Sequence, residues 1–122
     1  MTIIAKRALC AIAVICAACS ASAPVAFAPD ELLKVAVIPR NGEARRFSLS
    51  PDDARYAQLQ KWLRDNQSGW VPYPATEPGF GVFISGADLR LQFLESTVLA
   101  CHMKGACLQK ATRDTDYSFL LK

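Results

Sequence analysis

Three features of this 122-residue sequence predict an α+β fold, with one amphipathic helix packed on a mainly antiparallel sheet in the order β-β-α-β-β-β-(β). Apolar and polar residues alternate at strand period in Leu33–Ile38 and again from Phe80 to Met103. A single stripe at helical spacing, Tyr56, Leu59, Trp62 and Leu63, lies between those two groups. Short turn signals separate the alternating runs, which favours neighbouring antiparallel strands over long crossovers. The length allows one domain, since domains commonly take roughly 100–150 residues. That domain is expected over residues 30–122.

The chain starts with a leader pattern. Lys6 and Arg7 precede an unbroken apolar run, Ala8–Ala18. A membrane-spanning helix needs about 20 apolar residues, so the run is too short to cross a bilayer and instead fits a signal peptide. Two cuts are open. Ala26-Phe27-Ala28 offers small residues at the two positions that matter and gives a signal peptide of residues 1–28, with Pro29 against it. Pro24 likewise follows Ser22-Ala23. Cys16-Ala17-Ala18-Cys19 resembles a bacterial lipoprotein processing box, with Cys16 where Leu is usual. That cut gives a signal of residues 1–18, Cys19 as the lipid-bearing residue and 19–29 as a tether. Both readings place the domain outside the cytoplasm, periplasmic or otherwise exported, and membrane contact enters only through a lipid on Cys19.

Composition agrees with this division. Of the first 28 residues, 22 are hydrophobic, which inflates the 52% for the whole chain. Without Lys6 and Arg7 the formal charge falls from +3 to +1. No clustered basic face remains, so a charge-driven nucleic-acid binder is excluded.

Leu33–Ile38 and Ala44–Ser50 read as a hairpin around Arg40-Asn41-Gly42. A three-residue loop with Gly42 left-handed pairs Leu33 with Leu49, Val35 with Phe47 and Val37 with Arg45, and keeps one apolar face. Ser50-Pro51-Asp52-Asp53 predicts a helix start, with Ser50 as N-cap and proline at the first helical position. The helix should end near Asn66–Gly69. Trp70–Gly79 holds three prolines, which excludes a central strand or a helix. Beyond it, two-residue loops at Gly86-Ala87 and Glu95-Ser96 align Ile84 with Leu89, Val82 with Leu91, Phe93 with Val98 and Leu91 with Ala100. Met103-Lys104-Gly105, with Gly105 left-handed, closes a last hairpin that sets Cys101 opposite Cys107. An even cysteine pair in an exported domain predicts a disulfide, on the face away from Leu91 and Ala100. In Asp114–Lys122 the alternation of Tyr117, Phe119 and Leu121 suits an edge strand, and Phe-Leu-Leu-Lys also suits the end of a short helix.

Catalytic signals are sparse. His102 is the chain's one histidine and sits between the two paired cysteines, a poor place for a general base. Asp88, Glu95, Asp114 and Asp116 fall at turns, where Asp serves the backbone. They leave a small carboxylate-based cell-wall hydrolase as the alternative reading. No cofactor or metal is expected, because zinc needs four ligands and the sequence groups no such set. Binding is better supported. Trp70, Tyr73 and Phe80 lie on a proline-stiffened segment that reads as a binding surface or, through Trp70, as a plug at the end of the helix–sheet core, and Arg40, Arg45 and Arg46 cluster at a hairpin tip. The expected partner is a protein of the cell envelope, not nucleic acid. Small exported domains of this build serve as inhibitors, immunity proteins and accessory subunits, or as purely structural envelope lipoproteins.

Overall fold

The computed structural model describes residues 24–121. Cys19 and the leader up to residue 23 lie outside the described residues. Seven strands form one antiparallel sheet in the order β2-β1-β4-β5-β6-β7-β3. The strands are β1 (Leu33–Ile38), β2 (Arg45–Leu49), β3 (Val71–Pro72), β4 (Gly81–Ser85), β5 (Leu89–Phe93), β6 (Thr97–His102) and β7 (Cys107–Ala111). A single α-helix among the described residues, α1 (Ala54–Asp65), connects β2 at one edge with β3 at the other.

The first hairpin has the expected register, with Leu33 opposite Leu49, Val35 opposite Phe47 and Val37 opposite Arg45. Gly42 takes a φ of 112°, open to glycine and strained for other residues. β5 and β6 also pair as expected, Phe93 with Val98 and Leu91 with Ala100. The β4–β5 pairing differs, because Ile84 meets Leu91 and Val82 meets Phe93. The two-residue loop is Ala87-Asp88, one position later than expected, closed by the Gly86 N–H donating to Leu89 O at 2.9 Å. Two contacts hold it there: Glu31 accepts from the Ala87 N–H, and Asp88 O accepts from the Met103 N–H. The shift moves every partner by two residues, so the apolar face survives.

The helix start also departs from expectation. Ser50 accepts through its carbonyl from the Asp53 N–H at 3.0 Å, closing a turn, and Asp53 is the N-cap. Its carboxylate accepts from the Arg55 N–H at 2.9 Å, so Pro51 lies in the turn before the helix. Tyr56, Leu59 and Leu63 are buried, and Trp62 is half-buried edge-on to Phe93 at 5.1 Å. The helix ends at Asn66. The C-terminal segment forms two 3-10 turns, Asp114–Asp116 and Ser118–Leu121, rather than an edge strand. Their spacing buries Tyr117 and Leu120 instead of the alternating set and leaves Leu121 exposed. Tyr117 stacks on Phe93 at 4.9 Å.

Two layers cover the sheet. On the helix face the core gathers Leu33, Val35, Leu49, Val82, Ile84, Leu91, Phe93 and Ala100 under α1. The chain upstream of residue 30 joins that layer: Val25 is 3% exposed and Phe27 6%. The Gln67 side chain grips Val25 at both backbone groups, donating to its carbonyl at 2.8 Å and accepting from its N–H at 3.3 Å. Residue 30 therefore does not mark the start of the packed unit.

On the second face, residues 73–80 cover the part of the sheet nearer β3. Because β3 lies beside β7 while β4 lies between β1 and β5, this segment must cross β7, β6 and β5. Gln92, alternating outward on β5, is 1% exposed beneath it. Its amide donates to Pro78 O at 2.7 Å and Phe80 O at 2.8 Å. The proline-rich segment is thus a strap. β3 itself is a two-residue edge strand, where Pro72 needs no outward donor.

Candidate functional site

Strand register places the three expected arginines differently. Arg40 follows β1, with its guanidinium 4.4 Å over the Phe80 ring and 3.5 Å from Glu95. Arg45 and Arg46 lie on β2, which among the described residues has a sheet neighbour on one side only. Opposite Val37, Arg45 projects with Phe47 toward the helix face, while Arg46, opposite Ala36, projects to the other. Phe47 is flanked by two guanidiniums, Arg45 at 5.7 Å and Arg55 at 4.6 Å. Arg45 also donates to Leu121 O at 3.1 Å. Arg55 is tied to the N-cap through an ion pair with Asp53 at 2.8 Å. That guanidinium hydrogen bond, with the Arg55 N–H, lowers the Asp53 carboxyl to about 2. Burial raises the Tyr56 and Tyr117 hydroxyls above the usual phenol value.

The aromatic candidates separate. Phe80 sits under Arg40, but Trp70 and Tyr73 flank β3 at the far edge. Trp70 donates its indole N–H to Asn66 O at 2.6 Å and meets Trp62 edge-on at 6.3 Å, closing the end of the core. Tyr73 is half-buried and bonds Thr76 O within the strap. Six strand spacings of about 4.8 Å separate the two sheet edges, roughly 29 Å. Trp70 and Tyr73 therefore do not share a surface with Arg45 and Arg46.

Cys101 and Cys107 form a disulfide across directly opposed positions, with Cα atoms 4.1 Å apart. As expected, it lies on the face away from Leu91 and Ala100, since Cys101 is opposite Arg90. Gly105 is not left-handed; the turn closes by its N–H donating to His102 O at 3.1 Å. Sequence reasoning missed Glu77. Its carboxylate pairs with Arg90 and lies 2.9 Å from the Cys101 sulfur and 3.0 Å from that of Cys107. A lone acid between prolines in a crossing segment was the available signal. Oxidised sulfurs are not thiolate ligands, so this trio is not a metal site in the bridged state. His102 projects to the opposite face, with its ring nitrogen 3.2 Å from Pro24 O.

Two of the turn carboxylates, Asp88 and Glu95, do not converge. Asp88 and Glu95 lie at opposite ends of β5, roughly 20 Å apart at strand rise, whereas glycosidase pairs sit about 5–9.5 Å apart. Glu95 faces Arg40. Asp116 accepts from Thr112 and the Arg113 N–H, and Asp114 opens the first 3-10 turn. A groove of about 490 Å³ beside the last hairpin is lined by Asp88, His102, Met103, Lys104, Ala106 and Leu108. Its walls are mostly apolar, with Asp88, His102 and Lys104 as the polar side chains.

Comparison with family models, curated proteins and solved structures finds no match. Among the described residues, no helix is long and apolar enough to cross a membrane.

Proposed function

We propose that this chain is a small exported, non-catalytic envelope protein that binds another protein, as an inhibitor or immunity protein does, along the edge of β2. The observation that carries this reading is that edge. Among the described residues, Arg45–Leu49 has β1 on one side and no strand on the other, with Arg45 and Arg46 on its two faces. Outward N–H and C=O groups of such a strand can bond an extended segment of a partner, so affinity needs no deep pocket. Paired arginines repel a second copy of the same edge and attract an acidic partner segment. Phe47, held between two guanidiniums, adds an apolar contact at the same place. The leader pattern and the bridged cysteines support export to an oxidising compartment.

Affinity recovery from envelope extracts tests the reading, with Arg45→Glu/Arg46→Glu compared against Tyr73→Ala. A specific protein held by the wild type and by Tyr73→Ala, and lost with the charge reversal, is expected. Equal recovery by all three removes the β2 edge from the account. Turnover of peptidoglycan by the purified domain would replace it with the hydrolase reading.

A further inference from the structure

Strand register sets Arg90 on β5, Cys101 on β6 and Cys107 on β7 side by side in one row, on the face that the strap crosses. Glu77 reaches that row from the strap, and its two carboxylate oxygens have different neighbours. Oε1 lies 2.9 Å from the Cys101 sulfur and 3.0 Å from that of Cys107, while Oε2 is held by the Arg90 guanidinium. An acceptor aimed at both sulfurs gains no hydrogen bond from a disulfide, which has no proton to donate. It suits the reduced pair, which offers two thiols or two thiolates at the same place. Two sulfurs and Oε1 then converge from separate segments, and among the described residues this is the one such trio of Cys, His, Asp and Glu side chains.

We propose that Cys101, Cys107 and Glu77 form a redox-gated site for a thiophilic divalent cation, zinc foremost, closed while the cysteines are bridged and opened by a dithiol reductant. Thiolate ligands select such a cation over calcium or magnesium, which take oxygen. In the opening step a thiolate of the reductant attacks the Cys107 sulfur, the less buried of the two, and the Cys101 thiolate leaves. The reductant's second thiolate then attacks its own sulfur in the mixed disulfide, closing a cyclic disulfide and freeing Cys107. Two electrons and two protons pass to the cysteines, and the cation displaces both protons to solvent as it binds. The dimensions fit. Tetrahedral zinc, with sulfur at about 2.3 Å and oxygen at about 2.1 Å, needs its sulfurs about 3.8 Å apart and the oxygen about 3.6 Å from each. Cα atoms 4.1 Å apart let side-chain rotation supply the sulfur spacing. Glu77 then recedes by only roughly 0.6 Å to admit the ion. The charges also close: two thiolates and a carboxylate are balanced by the divalent cation and Arg90. Through its hold on Oε2, Arg90 keeps Oε1 turned toward the sulfurs, as outer-shell partners of metal ligands do. His102 projects from the opposite face and supplies no ligand, so the fourth tetrahedral position is left to water. Because Glu77 lies on the strap and the cysteines on the last hairpin, the bound cation ties one to the other.

Titration of the reduced protein with Co²⁺, a coloured stand-in for zinc, tests this directly. A phosphine serves as reductant in the test, because a dithiol would itself compete for the metal, and circular dichroism is recorded alongside. The reduced wild type should bind one Co²⁺ per chain with sulfur-to-cobalt charge-transfer absorption, and Zn²⁺ should displace it. The unreduced protein and Cys101→Ser/Cys107→Ser should show no such absorption. Glu77→Gln should keep the sulfur absorption and bind at least about tenfold more weakly. A reduced wild type that retains its sheet and gives no cobalt absorption overturns the proposal, as does a reduced chain that unfolds before metal is added. Equal affinity in Glu77→Gln and wild type also overturns it, since the two cysteines alone would then account for the binding. None of these outcomes bears on the β2 edge, so the proposed function stands or falls separately.

Discussion

Single residues here act through a few short, polar contacts whose sign can be worked out. Asp53 is the clearest case. Its carboxyl lies at about 2 in the folded chain against an ordinary 3.8, held down first by the Arg55 side chain and then by the Arg55 N–H. The unfolded chain thus takes up the proton more readily. Its contribution to stability is complete above pH 4 and is lost as pH falls through 2. Asp53→Ala should lower the melting temperature at neutral pH, with the gap to wild type closing between pH 4 and 2. Melting followed by circular dichroism at pH 7, 4 and 2 measures this, and a gap that stays constant with pH would assign the effect to something other than the ionised cap. The disulfide is a second residue-scale device. It closes a loop of only seven residues, so its entropic effect is on the order of 2–3 kcal/mol. Cys101→Ser/Cys107→Ser should fold, with urea unfolding displaced by about that amount and hydrogen exchange faster in the last hairpin than in α1.

Elements were legible in the sequence where local rules decide them. A period of two and a loop of fixed length are enough to set Leu33 opposite Leu49, Phe93 opposite Val98 and Cys101 opposite Cys107, because a one-residue slip would expose the core face. Rules of that kind do not reach contacts between distant segments. Nothing local in Ala87-Asp88 reports that Glu31 will fix the turn, and the alternation of β5 marks Gln92 as a solvent position although the strap buries it. The candidate site divides in the same way. Exposure of Arg40, Arg45 and Arg46 follows from their place in a hairpin, but the separation of Trp70 and Tyr73 from Phe80 depends on β3 joining the far edge. The strap's anchor is open to a direct test. Gln92→Leu keeps the side chain's bulk and removes the donor shared by Pro78 O and Phe80 O. Leaving buried carbonyls without a partner costs roughly 1–3 kcal/mol. Limited proteolysis should cut residues 73–80 faster in this variant, with the helix-face core unchanged; wild-type cleavage rates would show that the prolines alone hold the strap.

Among the described residues, the sheet is protected unequally: α1 and the segment around Val25 and Phe27 cover one face, the strap crosses the other, and β2 stays open at one edge. The helix alone is too short to cover its side. Twelve residues at about 1.5 Å rise give roughly 18 Å, against roughly 29 Å across seven strands. Val25 and Phe27 help fill the remaining width, which explains why a segment that reads as small-residue leader contributes buried side chains. Deleting a buried Phe costs about 3–5 kcal/mol and exposing the Val environment about 1.5–3 more. Domains of this size are stable by only about 5–15 kcal/mol. A chain beginning at Pro29 should therefore melt at least roughly 20 °C below one beginning at Ser20, or fail to fold. Val25→Ala/Phe27→Ala in the longer chain should reproduce most of that loss, because the side chains and not the added length carry the effect. Equal melting of the two truncations would mean that the sheet closes without this segment, and that its burial adds little to the fold.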